Sequence, residues 1–112
     1  DIGLAFQTGL MYYQKKDFQK AQSEFERAIA INNNYSNALY FLGMTYFELG
    51  QNNKALEKFS KVAELNPDNQ ELKKIIDNLN SGKKPLDEIV QETPPQAPIQ
   101  ETPPQAPIPE KP

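Results

Sequence analysis

Residues 36–67 read SNALYFLGMTYFELGQNNKALEKFSKVAELNP, and this stretch decides the fold of the chain. Apolar residues recur every three or four positions on both sides of Gly50, which is the spacing of amphipathic helices. Gly50 suits the left-handed conformation that ends the first helix. Pro67 ends the second, because the residue before a proline avoids helical backbone angles. The stretch therefore predicts a helical hairpin whose second helix is capped by Asn52 or Asn53.

The same pattern occurs again when the chain is shifted by 34 residues. Residues of similar size coincide at this offset: Gly9 with Gly43, Tyr12 with Tyr46, Ala21 with Ala55, Phe25 with Phe59, and Ala28 with Val62. Small residues are expected where paired helices approach closely, and the aromatic residues fill the space beside those contacts. Because neither hairpin can bury its apolar face alone, the two predicted units, 2–35 and 36–69, must stack to form a core.

A fifth helix is predicted over residues 69–80. Asp68 followed by Glu71 fits a capping box at its start, and Gly82 fits its C-terminal stop. One side of this helix is apolar, with Leu72, Ile75, Ile76 and Leu79. The other side is polar, with Lys73, Lys74, Asp77 and Asn78. A polar outer face is expected of a helix that closes an array. At the other end, either further repeats precede Ile2 or the face of the first helix is exposed.

The two units resemble the tetratricopeptide repeat family. Its signature positions are occupied in the second unit by Leu39, Leu42, Gly43, Tyr46, Gly50, Ala55, Phe59, Val62 and Pro67. The first unit matches at Gly9, Tyr12, Ala21, Phe25 and Ala28, and departs from the family at Ala5, Thr8 and Asn33. The resemblance covers residues 2–69. It implies an all-α solenoid of antiparallel helix hairpins, which with the fifth helix forms a domain over residues 1–82. The composition changes after Gly82, so residues 83–112 are assigned to a separate proline-rich tail.

The resemblance also implies a binding surface, because the first helix of each hairpin lines the concave inner face in this family. The residues expected to line that groove are Phe6, Leu10, Tyr13, Tyr40, Phe41, Met44 and Phe47. Such an apolar, aromatic surface suits an extended apolar peptide or the face of an amphipathic helix. A second interpretation stays open at this stage, because aromatic residues at helical spacing also serve as packing between hairpins.

The tail contains a second repeat, in which residues 91–99, QETPPQAPI, recur unchanged at 100–108. Proline fixes the backbone and removes a donor, so this segment favours the polyproline II conformation. Its candidate ligand residues are Pro94, Pro95, Pro98, Ile99, Pro103, Pro104, Pro107 and Ile108. Aromatic-lined grooves bind polyproline II segments, so the groove of another copy is one expected destination. A disordered linker and a PxxP ligand for an SH3-like domain are the alternatives.

Composition excludes several functions for this 112-residue chain. Its net charge of −3, without a basic stripe, disfavours nucleic acid and anionic membranes as partners. The chain has no Cys and no His, which removes the usual zinc ligands and the commonest general base. We therefore expect no metal, no cofactor and no enzymatic activity. No apolar run reaches the roughly 18 residues of a membrane span, so no direct membrane contact by this fragment is expected.

Two functions remain open on this evidence. One is a protein–protein interaction module that binds a peptide in its groove and associates with itself through the tail. The other is a soluble C-terminal assembly appendage of a larger protein, membrane-embedded or not, with the tail as a disordered linker. The sequence opens within a helical pattern and without Met, so we expect a piece of a longer protein. A soluble, cytoplasmic fragment is the working expectation, although no residue identifies its compartment.

Overall fold

The computed structural model describes residues 1–89 of the chain, and these residues form five α-helices without a strand. The helices are α1 (Ile2–Gln14), α2 (Phe18–Ile31), α3 (Ser36–Glu48), α4 (Asn52–Leu65) and α5 (Gln70–Asn80). This confirms the all-α repeat architecture predicted from the 34-residue offset. The proline-rich repeats at 91–108, with all of their candidate ligand residues, lie outside the described part of the chain.

The helices contact each other in chain order. Helix α1 packs with α2 and α3 packs with α4, which gives the two predicted hairpins. The hairpins stack because α2 packs on α3, and α4 packs in the same way on α5. Helix α1 also contacts α3, so the contacts lie within a hairpin or between neighbouring units, as in a solenoid.

Two glycines allow the paired helices to approach closely. A Cβ placed on Gly9 would lie 2.6 Å from Cε1 of Phe25, and one placed on Gly43 would lie 2.9 Å from Cε2 of Phe59. Both phenylalanine rings are fully buried. The ring on the second helix of each hairpin therefore occupies the space that a side chain on the first helix would need. This confirms the sequence-based role of the small residues.

Two helix N-termini differ from the prediction. Gln51 precedes α4 without a side-chain hydrogen bond, so neither Asn52 nor Asn53 caps that helix. Helix α5 is capped by Asn69, whose side-chain oxygen accepts a hydrogen bond from the backbone N–H of Leu72 at 3.1 Å. The capping box predicted at this helix is therefore not formed. Either polar residue in the loop can serve as a cap, and the path of the loop selects one of them.

Both predicted C-terminal stops are confirmed. Gly50 and Gly82 each have φ of 79°, in the left-handed region where a side chain would be strained. After each glycine the chain turns back and bonds to the last helical turn. The backbone N–H of Gln51 donates to the carbonyl of Tyr46 at 2.8 Å, and that of Lys83 donates to the carbonyl of Asn78 at 2.7 Å. These bonds have the six-to-one pattern of a Schellman motif.

The close contact at Gly43 gives a direct stability test. We expect Gly43→Ala to lower the free energy of unfolding by about 1–3 kcal/mol, because a methyl group is forced against the buried ring of Phe59. This loss outweighs the ~1 kcal/mol by which alanine exceeds glycine in helix propensity. Gly3→Ala is the matched control, because the exposed Gly3 meets only Asp1 Oδ1, at 3.3 Å. Urea titration measures both variants, and equal loss in both would contradict the contact.

Candidate functional site

The seven predicted groove residues fall into two groups in the structure. Four of them are buried in the core, namely Phe6, Tyr40, Phe41 and Met44. Tyr40 has no exposed surface and Phe41 is 3% exposed, so these side chains pack between the hairpins and do not line an open groove. The remaining three, Leu10, Tyr13 and Phe47, are half-buried at the edge of the core.

Burial of these residues follows from a cluster of rings that joins the two hairpins. The ring of Phe41 lies 6.0 Å from that of Phe6 and 6.1 Å from that of Phe25, measured between centroids. Its other neighbours are Tyr13 at 5.8 Å and Tyr40 at 5.1 Å, both edge to face. These separations are in the favourable range for aromatic pairs. Stacking of the hairpins therefore buries most of the aromatic surface that was predicted to bind a ligand.

Residues 83–89, here called the strap, pack back against α5 and the core. Pro85 is buried, and Leu86 and Ile89 pack against the core cluster. Val90, the next apolar residue, lies outside the described part of the chain. The packed part of the chain thus continues past Gly82, beyond the predicted end of the folded domain.

Asn78 is the residue that holds the strap. Its amide nitrogen Nδ2 donates to the carbonyl oxygen of Pro85 at 3.0 Å and to that of Asp87 at 2.8 Å. Asn78 is only 2% exposed, whereas the sequence places it on the polar outer face of α5. The difference arises because the strap covers this part of the helix. A buried amide with both donors satisfied contributes stability, and one without partners costs it.

The 34-residue offset shows which side of the array the strap occupies. Asn78 is equivalent to Met44 and to Leu10, and Lys74 is equivalent to Tyr40. The strap therefore covers α5 at the positions that correspond to the inner face of α1 and α3. Asn78 stands at a position that is apolar in both earlier units, Leu10 and Met44. This difference is the sequence signal from which the buried contact could have been predicted.

Charged side chains orient the far end of the strap. Glu88 lies 3.4 Å from Nζ of Lys74 and 3.6 Å from Nζ of Lys83. The hydrogen bond from Lys74, with the positive charge of Lys83, lowers the pKa of the Glu88 carboxyl. Glu88 has φ of 64°, so the strap turns through the left-handed region at this residue. Because all three groups are in contact with solvent, the pairs orient the segment more than they stabilise it.

The part of the inner face that remains accessible is a small patch, here called the inner patch. It consists of Leu10, Tyr13 and Phe47, with the exposed Gln14 and Glu48 at its edge. Burial raises the pKa of the Tyr13 phenol, and the negative charge of Glu48 raises it further. The patch therefore combines two aromatic surfaces with an acidic rim.

The described residues also bear on metal binding and on membrane spanning. Within residues 1–89, no three His, Cys, Asp or Glu side chains are grouped so that they could hold a metal ion. None of the helices in this part of the chain has the length and apolar character needed to cross a membrane.

Loss of the amide at Asn78 should release the strap. We expect Asn78→Ala to lower the free energy of unfolding by about 1–3 kcal/mol, because the carbonyls of Pro85 and Asp87 lose their donor. Asn80→Ala is the control, since Asn80 is exposed on the same helix. Urea denaturation gives the stabilities, and amide hydrogen exchange of residues 86–89 reports the strap directly. Unchanged protection of those amides in Asn78→Ala would contradict this role.

The raised pKa of Tyr13 predicts a dependence of stability on pH. The unfolded phenol ionises near pH ~10, whereas the folded protein keeps the proton to higher pH. The associated stability is fully present below pH ~10 and is lost as the pH rises from there towards the folded pKa. Between about pH 9 and pH 11, Tyr13→Phe should therefore lose less stability than the unmodified chain. Urea titrations at both pH values test this, and identical losses would contradict it.

The comparison with known proteins agrees with this architecture. Residues 12–79, more than half of the chain, match the family model described as tetratricopeptide repeat. The chain is also 39% identical over 57 residues to anaphase-promoting complex subunit 3 of Schizosaccharomyces pombe. That match covers 51% of this chain and 9% of the relative, so the chain spans less than a tenth of the curated protein it matches. The chain therefore belongs to the tetratricopeptide repeat family and is a protein–protein interaction module.

Proposed function

We propose that this chain is a non-catalytic module that holds an extended peptide, or one face of a helix, along its inner face. The observation that carries the proposal is the pair of hydrogen bonds by which Asn78 holds the strap. A buried amide at an inner-face position binds two main-chain carbonyls of a non-helical segment, those of Pro85 and Asp87. Binding through main-chain groups does not depend on the side chains of the ligand. Specificity for particular ligand side chains then comes from neighbouring pockets on the protein.

In this chain, we assign the specificity for ligand side chains to the inner patch. Tyr13 and Phe47 are equivalent residues of the two units, so their rings lie on the same side of neighbouring first helices. Large aromatic surfaces of this kind contribute much of the energy in peptide interfaces. A ligand that lies across both rings would cover the inner side of α1 and α3. The strap covers the corresponding side of α5.

The ligand we propose is the proline-rich tail of another copy. Its two QETPPQAPI repeats present Pro94, Pro95, Pro98 and Ile99, then Pro103, Pro104, Pro107 and Ile108. Polyproline II segments lose little conformational entropy on binding and dock on aromatic surfaces. Ile89, which packs against the core, immediately precedes the tail in sequence, so each copy of the chain carries a candidate ligand.

A second candidate function is assembly of a larger protein. In this case the array is a soluble C-terminal appendage, and the tail is only a linker. The observation in its favour is that the fission-yeast relative is named as a subunit of a complex and is far longer than the matched region. Under this alternative, the isolated QETPPQAPI sequence has no affinity for the inner patch.

Fluorescence anisotropy with a labelled QETPPQAPI peptide and the full chain tests the proposal. We expect saturable binding with Kd on the order of 100 µM, since only a few side chains are anchored. Glu48→Lys should tighten binding by about fivefold, because the rim then attracts Glu92 of the peptide. Ile31→Ala, an exposed change outside the inner patch, should leave the affinity unchanged.

Absence of saturation up to about 1 mM peptide would overturn the proposed ligand, as would an unchanged affinity in Glu48→Lys. Light scattering of the full chain supplies the second measurement. A molecular mass that rises with concentration, and falls when the free peptide is added, supports binding between copies. A mass that stays constant while the peptide binds would contradict the role of the tail in self-association.

A further inference from the structure

The strap meets α5 through three consecutive residues and a fourth that is charged. Pro85 is buried, and Leu86 packs against the core cluster. The carbonyls of Pro85 and Asp87 accept the two hydrogen bonds from Nδ2 of Asn78, while the side chain of Asp87 is exposed. At the first three positions the surface therefore buries a proline, contacts an apolar side chain and binds the main chain of a third residue.

A glutamate completes this set of contacts. Glu88 lies 3.4 Å from Nζ of Lys74 and 3.6 Å from Nζ of Lys83. Lys74 lies within α5, and the backbone N–H of Lys83 donates to the carbonyl of Asn78 at 2.7 Å. Both lysines are thus fixed to the helix and belong to the binding surface, whereas the glutamate belongs to its occupant.

The occupant has a sequence pattern that recurs in the tail. Three prolines of the chain are followed by Leu or Ile, and each has a glutamate three positions after it. The strap motif is PLDE at 85–88, the first tail motif is PIQE at 98–101, and the second tail motif is PIPE at 107–110. The nine-residue repeat has ended in the second tail motif, where Pro109 replaces Gln100, yet the glutamate is kept.

One backbone contact separates the two tail motifs. The N–H of Asp87 donates to the carbonyl of Lys84 at 3.1 Å, so the strap makes a tight turn where it meets α5. Gln100 has an N–H for the equivalent bond to the carbonyl of Ala97, whereas Pro109 has none. The first tail motif therefore matches the strap motif more fully than the second does.

We infer that the inner side of α5 is a binding site for the motif Pro-(Leu/Ile)-x-Glu, and that the first tail motif of the same chain is its second occupant. The chain is then held on α5 thirteen residues later than in the strap. In this register the amide of Asn78 binds the carbonyls of Pro98 and Gln100. The carboxylate of Glu101 lies beside Lys74. This site is separate from the inner patch, so either can bind when the other does not.

Effective concentration favours the same chain over another copy. Attachment to the site through a short connection corresponds to a concentration on the order of 1 mM, whereas separate copies meet at about micromolar concentrations. The strap keeps an advantage over the first tail motif, because it closes a shorter loop. Ile89 also adds an apolar contact where the tail has Thr102. The strap is therefore the major occupant, and the exchange becomes measurable when the strap is weakened.

Two changes in the full chain weaken the strap. Leu86→Ser with Glu88→Lys removes the apolar contact and reverses the charge, and neither residue belongs to a helix. The Nδ2 amide signals of Asn78 report its hydrogen bonds in NMR spectra. We expect them to keep roughly half of their shift from free asparagine, because the effective concentration is comparable to a Kd of about 1 mM for a short motif. About tenfold dilution should leave this fraction unchanged, since the occupant belongs to the same chain.

Two matched pairs of further changes identify the occupant. In the chain with the weakened strap, Ile99→Ser with Glu101→Lys should remove almost all of the remaining Asn78 shift. Ile108→Ser with Glu110→Lys makes the same replacements in the second tail motif and should leave the shift in place. Equal effects of the two pairs, no effect of either pair, or a shift that falls on dilution would each overturn the inference.

A peptide gives a measurement that does not depend on the tail. In the chain whose strap and first tail motif are both changed, the peptide APIQETP, residues 97–103, should restore the Asn78 shift with Kd on the order of 1 mM. The peptide with Glu101→Gln should bind about threefold more weakly, the loss of solvent-exposed ion pairs. No restoration at about 10 mM peptide overturns the site on α5. The QETPPQAPI peptide ends at Ile99, before the glutamate, so the inner patch is tested independently.

Discussion

At Gly9 and Gly43 the first helix of each hairpin has no side chain, and a phenylalanine ring from the second helix fills that space. This contact sets the distance between the paired helices, because any Cβ there would lie under 3 Å from the ring. The rest of the packing depends on that distance. With the helices so close, Phe25 is fully buried and still reaches Phe41 of the next hairpin, 6.1 Å away between ring centroids. Phe25 therefore takes part both in the close contact at Gly9 within its hairpin and in the packing against the next hairpin.

The join between hairpins has a consequence for binding. Aromatic residues on the first helices are drawn into the core, and Tyr40 illustrates this with its ring edge to face against Phe59 at 5.7 Å. Surface that stabilises the stack cannot also be offered to a ligand. The inner patch is what remains: Leu10, Tyr13 and Phe47 at the edge of the ring cluster. In these two hairpins, packing between the hairpins and a ligand would use the same aromatic side chains.

The end of the array is organised by a polar contact instead. Gly82 reverses the chain after α5, and the strap then returns over Asn78, whose amide binds two of its carbonyls. Because that amide is buried, leaving it unpaired would cost free energy, and the strap is therefore held in place. Within residues 1–89 no helix packs on the side of α1 that carries Leu4 and Met11, so these two side chains stay exposed.

Much of the fold could be predicted from the sequence. The offset that pairs Gly9 with Gly43 predicted the four helices of the two hairpins and their order, and Gly50 and Gly82 marked two of the helix ends. These features depend on local backbone chemistry and on periodicity, which the sequence displays directly. The choice of Asn69 as a cap could not be predicted, because several polar residues in that loop can accept the same hydrogen bond.

The candidate site depended on tertiary structure. Periodicity tells which side of a helix is apolar, but it does not tell what covers that side. Tyr40 and Met44 therefore looked like groove residues and are core, Asn78 looked exposed and is buried, and Leu4 has buried equivalents and is exposed. The sequence by itself determined a helical repeat with an apolar inner side. Only the stacking of the hairpins and the return of the strap decided which of those apolar residues a partner can reach.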